Sequence, residues 1–221
     1  MPPFAISNVL NTLLCLSVLC VPVSAAALDF RVDFRNSTYQ TQVGDTFSDL
    51  LAQHESETLI QSSITQGLEN ISTSIYAGGV TNNYSMLMTT TIDIDMSGEY
   101  EFRVGTDWGR GGAAALIDDS DGSILYERVI TDDVWWSNDF NNSDVFATSF
   151  SFTAGESYSL YWVGFEGCCG GSTTAFFSVD GGAFETFTDP NFAPFTAVPE
   201  PGTALLTAMG LVGLAARRRN G

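Results

Sequence analysis

The chain has no lysine and a single histidine, His54, in 221 residues, and three of its eight arginines lie within the last five positions. Between Leu28 and Ala197, 25 acidic residues face five Arg, a net charge of −20. A surface of that sign repels phosphate backbones and anionic lipid headgroups, which excludes nucleic acid as a partner and leaves the terminal helix as the only membrane contact. Divalent cations and neutral polymers remain open as partners, and so does the plainer role of keeping an exported protein soluble. Triad catalysis needs a histidine to take the proton, and the one available falls in an expected helix, where packing is the simpler role. The chain also lacks a His-Glu-x-x-His pair, a phosphate loop and a dinucleotide fingerprint. A non-catalytic protein is therefore expected. The alternative is a secreted glycosidase, because paired carboxylates can hydrolyse glycosides with no motif visible in sequence.

Long apolar runs are scarce, and a permanent anchor built on the short terminal one would be strained, although an ordinary C-terminal anchor with a positive-inside stop signal is the plainer alternative. Val9 to Val21 is interrupted only by Asn11, Thr12 and Ser17 and leads into small residues at 24–27, the pattern of a signal peptide over residues 1–27. Its first eight residues carry no Lys or Arg, a departure from the usual positive start. At the other end, Thr203 to Ala216 is 14 residues without a charge, about 21 Å as a helix against a hydrocarbon core of ~30 Å. Arg217, Arg218 and Arg219 follow as a stop signal that remains cytoplasmic.

The order Val198-Pro199-Glu200-Pro201, short apolar helix, Arg cluster and chain end resembles the PEP-CTERM sorting signal, over residues 198–221. The resemblance implies recognition by an exosortase, a membrane-embedded cysteine transpeptidase that removes the tail. It places the protein outside the cell or on the envelope surface after a transient stay in the inner membrane. Both prolines have a physical role, since they keep the apolar helix from extending outward through the recognition segment.

Between the ends, Leu28, Phe30, Val32 and Phe34 alternate with Asp29, Arg31 and Asp33, the period of a half-buried strand. Phe47, Leu50, Leu51 and His54 have helical spacing, and Leu59, Ile60, Ile64 and Leu68 extend it into a possible second helix. Met86 to Val104 reads as a hairpin turning at Ser97-Gly98, with Met86, Met88, Ile92, Ile94 and Met96 on one face and Tyr100, Phe102 and Val104 on the return. Further strand-like runs are 113–117, 123–129, 145–152, 158–165 and 174–179, each bounded by Gly, Asp or Asn. The expected fold is all-β, an antiparallel β-sandwich or jelly roll over residues 28–188, followed by an extended Pro-rich linker over 189–197.

Three groups of residues could carry function. Trp108 lies in a Gly-rich loop and Trp135-Trp136 among acidic and amide residues, and such rings are the flat surfaces on which sugars stack. Adjacent strand residues point to opposite faces, so at least one of Trp135 and Trp136 should be exposed; edge packing is the alternative for all three. Asp118, Asp119 and Asp121 before Gly122 cluster the oxygen donors that calcium prefers, and an Asp-Gly turn explains them as well. The segment from Gly98-Glu99-Tyr100-Glu101-Phe102 through Asp107, Asp121-Gly122 and Ala154-Gly155 is similar to the protective-antigen type of carbohydrate-binding β-sandwich, over roughly Tyr84 to Val179. That family has adjacent acidic residues where this chain has Asp107-Trp108, so its calcium-dependent sugar site does not carry over intact. The expected ligand is extracellular polysaccharide; a purely structural surface protein is the other non-enzymatic possibility.

Cys15 and Cys20 leave with the signal peptide, so Cys168 and Cys169 remain as an adjacent pair between glycines. A vicinal disulfide, an intermolecular bridge and two free thiols are the options outside the cell; the vicinal disulfide is the expected one, with a reduced pair in a plain Gly-rich turn as the alternative. Neighbouring Cα atoms lie ~3.8 Å apart, below the ~4.4–6.8 Å usual for bridged cysteines, and flanking glycines would accommodate the distortion. Gly164 to Gly171 also resembles the hallmark of the CCXG group of PEP-CTERM proteins, which carries no known activity.

Overall fold

The computed structural model describes residues 28–196. In chain order these form β1 (Phe30–Asn36), α1 (Phe47–Ser56), β2 (Leu59–Thr65), β3 (Ile71–Ser72), α2 (Thr73–Tyr76), β4 (Tyr84–Asp93), β5 (Gly98–Gly105) and β6 (Asp107–Trp108). There follow β7 (Gly112–Asp118), β8 (Ile124–Ile130), β9 (Val134–Trp135), β10 (Phe146–Phe152), β11 (Ser157–Glu166), β12 (Ser172–Val179), β13 (Glu185–Thr186), α3 (Asp189–Phe192) and a 3-10 turn, Ala193–Phe195. The signal-peptide segment 1–27 and the sorting segment 198–221 lie outside the described residues.

Two antiparallel sheets face one another. One has the order β2-β1-β4-β11-β7-β8; the other runs β10-β5-β12-β13, with β3 beside β12. Alternate residues of β1, β4 and β11 point into the space between them: Phe30, Val32 and Phe34, Met88 and Ile92, Leu160 and Trp162, all at most 2% exposed. Tyr100, Phe102, Val104 and Phe177 meet them from the second sheet. Met86 to Val104, expected as one hairpin, is divided between the two sheets. β4 pairs with β1 and β11, β5 with β10 and β12, and the chain crosses between the sheets at 94–97. The crossing is held by Ile94 N donating to Glu156 O at 3.0 Å and Asp95 N to Phe195 O at 3.0 Å. Two strands whose apolar faces line the same core from opposite sides have the alternation of a hairpin, so periodicity cannot distinguish them.

The six-stranded sheet is covered on its outer face too. Phe47 and Leu50 of α1 pack on Leu87, Ala113, Ala115, Val163 and Phe165, which explains why β7 and β11 read as nearly unbroken apolar runs. Thr46 starts α1 with a capping box: its hydroxyl accepts from Asp49 N at 3.2 Å, and the Asp49 carboxylate accepts from Thr46 N at 3.0 Å. Asp33, expected outward, lies beneath this layer at 1% exposure and takes the Arg31 guanidinium on both carboxylate oxygens, at 3.0 and 2.5 Å. Residues 59–65, expected as helix, form strand β2 against β1; Leu59 and Ile64 are 49% and 60% exposed, so their spacing marked no buried face. The expected linker is likewise folded from Asp189 to Thr196, with Phe192 fully buried and Thr196 bridged to Ile94.

His54 is fully buried on α1, its Nδ1 2.8 Å from Ser85 Oγ and its Nε2 without a partner. Burial first, and then the Arg35 guanidinium, push its pKa from 6.5 down to about 4. The unfolded chain therefore binds this proton and the folded one does not between those values. Stability from this residue is complete above pH 6.5 and is lost as pH falls toward 4, up to ~3 kcal/mol at 1.36 kcal/mol per unit. Melting curves should shift downward across that window, and in a His54→Gln variant the slope should largely vanish; an equal slope in the variant would assign it to other groups.

Candidate functional site

β6 and β9 pair as a separate two-residue ribbon, with Asp107 opposite Trp135 and Trp108 opposite Val134. Residues directly opposite share a face, so the ribbon is two-sided. Trp108 and Val134 point inward, at 1% and 0% exposure. Asp107 and Trp135 point the other way, into a cleft of about 500 Å³.

The three tryptophans thus have different positions. Trp108 is a core residue and not a ligand surface: its ring lies so close over Gly164 that a Cβ there would come within 1.9 Å, and it meets Phe146 at 5.8 Å. Trp136 is 7% exposed, pressed on Gly105, where a Cβ would come within 2.2 Å of the ring, and tilted against Phe140 at 4.8 Å; it lines the cleft while remaining largely buried. Trp135 is 57% exposed. The alternation expected for the adjacent pair is present, and it turns Trp135 to solvent.

The loop between β11 and β12 lies against the ribbon and contributes Cys169, Gly170 and Gly171, and the start of β12 adds Ser172. Ser72, Thr73, Ser74 and Thr81 complete the wall, and Asn138 closes it beside Trp136. Cys168 and Cys169 are bonded to each other, with Cα atoms 3.7 Å apart. Cys169 takes φ +76° and Ser137 φ +54°, the two left-handed residues of the described chain that are not Gly, Asn or Asp. Both adjoin the cleft, and such backbone persists only where its surroundings hold it. Gly171 permits the loop's close approach, since a Cβ there would come within 2.3 Å of Asp107 Cβ.

Glu166, 3% exposed, anchors the two sides together. It accepts from Gly109 N at 2.9 Å and from Cys168 N at 2.8 Å, so one buried carboxylate fixes both the loop after β6 and the cysteine loop. Beneath them the Thr106 and Thr173 hydroxyls meet at 2.7 Å. Asp107 is half-buried, and its pKa is raised by that burial, then by Glu166 and Asp133. It is the one charged side chain on the cleft wall. Sequence reasoning flagged Asp107 only for its neighbour and missed the Ser/Thr wall, because these residues meet only through the distant pairings of β3 with β12 and β6 with β9 and the packing of Gly170 and Gly171 on Thr73, Thr81 and Asp107.

The Asp118, Asp119 and Asp121 loop was open between a calcium site and a turn, and the geometry is that of the turn. Asp118 Oδ1 accepts from Ser120 N and Asp121 Oδ1 from Ser123 N, each at 2.8 Å, while Gly122 takes φ +75°. Asp119 instead accepts from Ser159 Oγ at 3.1 Å. Among the described residues no three His, Cys, Asp or Glu side chains are grouped to hold a metal ion.

Comparison with protein families matches residues 197–219 to the PEP-CTERM protein-sorting motif, which makes this an exported protein with a transient membrane stage. Among the described residues no helix is long and apolar enough to cross a membrane. No curated protein matches the chain. Solved structures similar to it include a PA14 sugar-binding domain from an RTX adhesin, 12% identical, with 75% of this chain and 97% of that one covered at a TM-score of 0.46. Another is the A domain of epithelial adhesin 6 from Candida glabrata in complex with Galβ1-3GlcNAc, 11% identical, with 76% and 88% covered at 0.48. An anti-sigma factor domain-containing protein from Clostridium clariflavum is 14% identical, with 77% and 48% covered at 0.46.

Proposed function

We propose that this protein is a non-catalytic component of the cell surface or extracellular matrix that holds polysaccharide in the Trp135 cleft, after an exosortase-type enzyme has removed its sorting tail. The observation that carries the reading is that Trp135, more than half exposed, lines one cleft together with a set of hydroxyl and backbone groups. A pyranose ring has one face of C–H groups, which stacks on an indole, and a rim of hydroxyls, which Ser, Thr and Asn side chains and free backbone groups can bond. The disulfide and the left-handed residues beside it hold the wall in place before ligand arrives, so less ordering is lost on binding.

Glycoside hydrolysis needs two carboxyl groups flanking the bond. Asp107 lines the cleft, whereas both oxygens of its neighbour Glu166 are engaged by backbone N–H groups. The arrangement therefore favours holding a glycan over cleaving it. Incubating the exported protein with a panel of polysaccharides tests the reading: retention without reducing-sugar release is expected. Release of reducing sugar would convert it to an enzyme, and absence of retention on every polymer would leave a structural surface protein.

A further inference from the structure

The cleft holds one unbalanced charge. Asp107 has Glu166 and Asp133 as electrostatic neighbours, and all three influences on its carboxyl group, burial included, disfavour the ionised form. Arg110 packs against Gly167 beside Glu166 and donates to Asn83 Oδ1, but no cationic group acts on the Asp107 carboxyl itself, and the ion pairs of the described residues, Arg31–Asp33 and Arg103–Glu101, are elsewhere. The cleft wall contains no Arg or His, only hydroxyls, an amide, glycines, the disulfide and indoles around this carboxylate. Such a site lacks one positive charge, and the ligand is the place from which it can come.

The register of the ribbon says where on the ligand that charge would sit. Asp107 and Trp135 are directly opposed across β6 and β9, on the same face, so their Cβ atoms are ~5 Å apart. A ring stacked on the indole therefore places a substituent at its edge beside the carboxylate. Hydroxyls can bond a carboxylate, but only a cationic substituent also offsets Glu166 and Asp133. The indole adds attraction of its own for a cation near its face. The chain's net charge of −18 draws cations toward the cleft and repels uronates and sulfated sugars.

Resting on the saccharide reading of the cleft, we infer that its ligand is an amino sugar with a free amine, the ammonium group held by Asp107 and the ring by Trp135. A polymer of partly deacetylated hexosamine has this chemistry. N-acetylation removes the charge and adds bulk at the same atom, so Asp107 discriminates between the two forms.

Calorimetric titration of the purified exported protein with short oligomers tests this, since trimers avoid the avidity of a polycation on an acidic surface. The probes are the β1-4 trimers of glucosamine, N-acetylglucosamine and glucose, and a galacturonate trimer. The glucosamine trimer should bind at least tenfold more tightly than either neutral trimer, and the galacturonate trimer least. Asp107→Asn should cut that advantage to about twofold. The substitution keeps the shape and removes a charge the fold disfavours, and a melting curve checks that the variant is folded. Asp29→Asn, an equal change of charge at an exposed site before β1, should keep the full preference. Equal or tighter binding of a neutral trimer would overturn the amine inference and leave the saccharide reading intact. The same loss in Asp29→Asn as in Asp107→Asn would reduce it to general charge attraction and also overturn it. Binding of no trimer would overturn both.

Discussion

Phe192→Ala is expected to destabilise the domain by about 3–5 kcal/mol, the range for removing a buried phenylalanine ring. The side chain is fully buried. Its ring centroid lies 4.9 Å from Phe177, 5.1 Å from Phe187 and 6.0 Å from both Tyr100 and Phe195, with edge-on geometry at Phe177 and Phe187. Phe187 in turn meets Phe30 edge-on at 4.8 Å, which carries the contact across to the six-stranded sheet. The segment thus closes one end of the sandwich and touches both layers. At ~2–4 °C per kcal/mol for a domain of this size, calorimetry should show a fall in Tm of about 6–20 °C. A fall under about 3 °C would mean that residues 189–196 are peripheral, as a linker would be.

That segment shows where sequence reasoning reached its end. Pro190 and Pro194 in a run ahead of the sorting motif look like an extended spacer. Here, though, Pro190 falls in the first turn of α3 and Pro194 in the following 3-10 turn, where a missing N–H is tolerated. Periodicity served well wherever one face meets the core, as along β5, where Tyr100, Phe102 and Val104 are buried while Glu99 is exposed and Glu101 and Arg103 are half-exposed. It was blind to partner choice, which depends on residues far apart in the chain. Trp108 turns inward because Gly112 and Gly164 leave room beneath its ring, and nothing near residue 108 signals the second of these. The pairing of Asp107 with Trp135 likewise depends on a register that neither short strand encodes by itself. The alternation of Trp135 and Trp136 is local, and it was readable.

Trp135→Ala should weaken glycan binding at least thirtyfold, about 2 kcal/mol, the scale on which an aromatic anchor acts in a recognition site. The same substitution should move Tm by less than about 2 °C, because the side chain is 57% exposed and supports no core contact. The separation of the two effects is the informative feature. A ring that served as edge packing would change stability and leave affinity alone, the reverse of this expectation. The variant also keeps Asp107 and the disulfide loop, so a surviving affinity would show that stacking is not what holds the ligand.

The most direct measurement is a nuclear magnetic resonance titration of the isotopically labelled protein with the glucosamine trimer, observing backbone amides and indole N–H groups together. The account predicts that the Trp135 indole and the amides of Asp107, Gly170 and Gly171 shift first and most, and that the α1 face does not move. Saturating trimer with those signals unshifted, or shifts concentrated on another face, would contradict it.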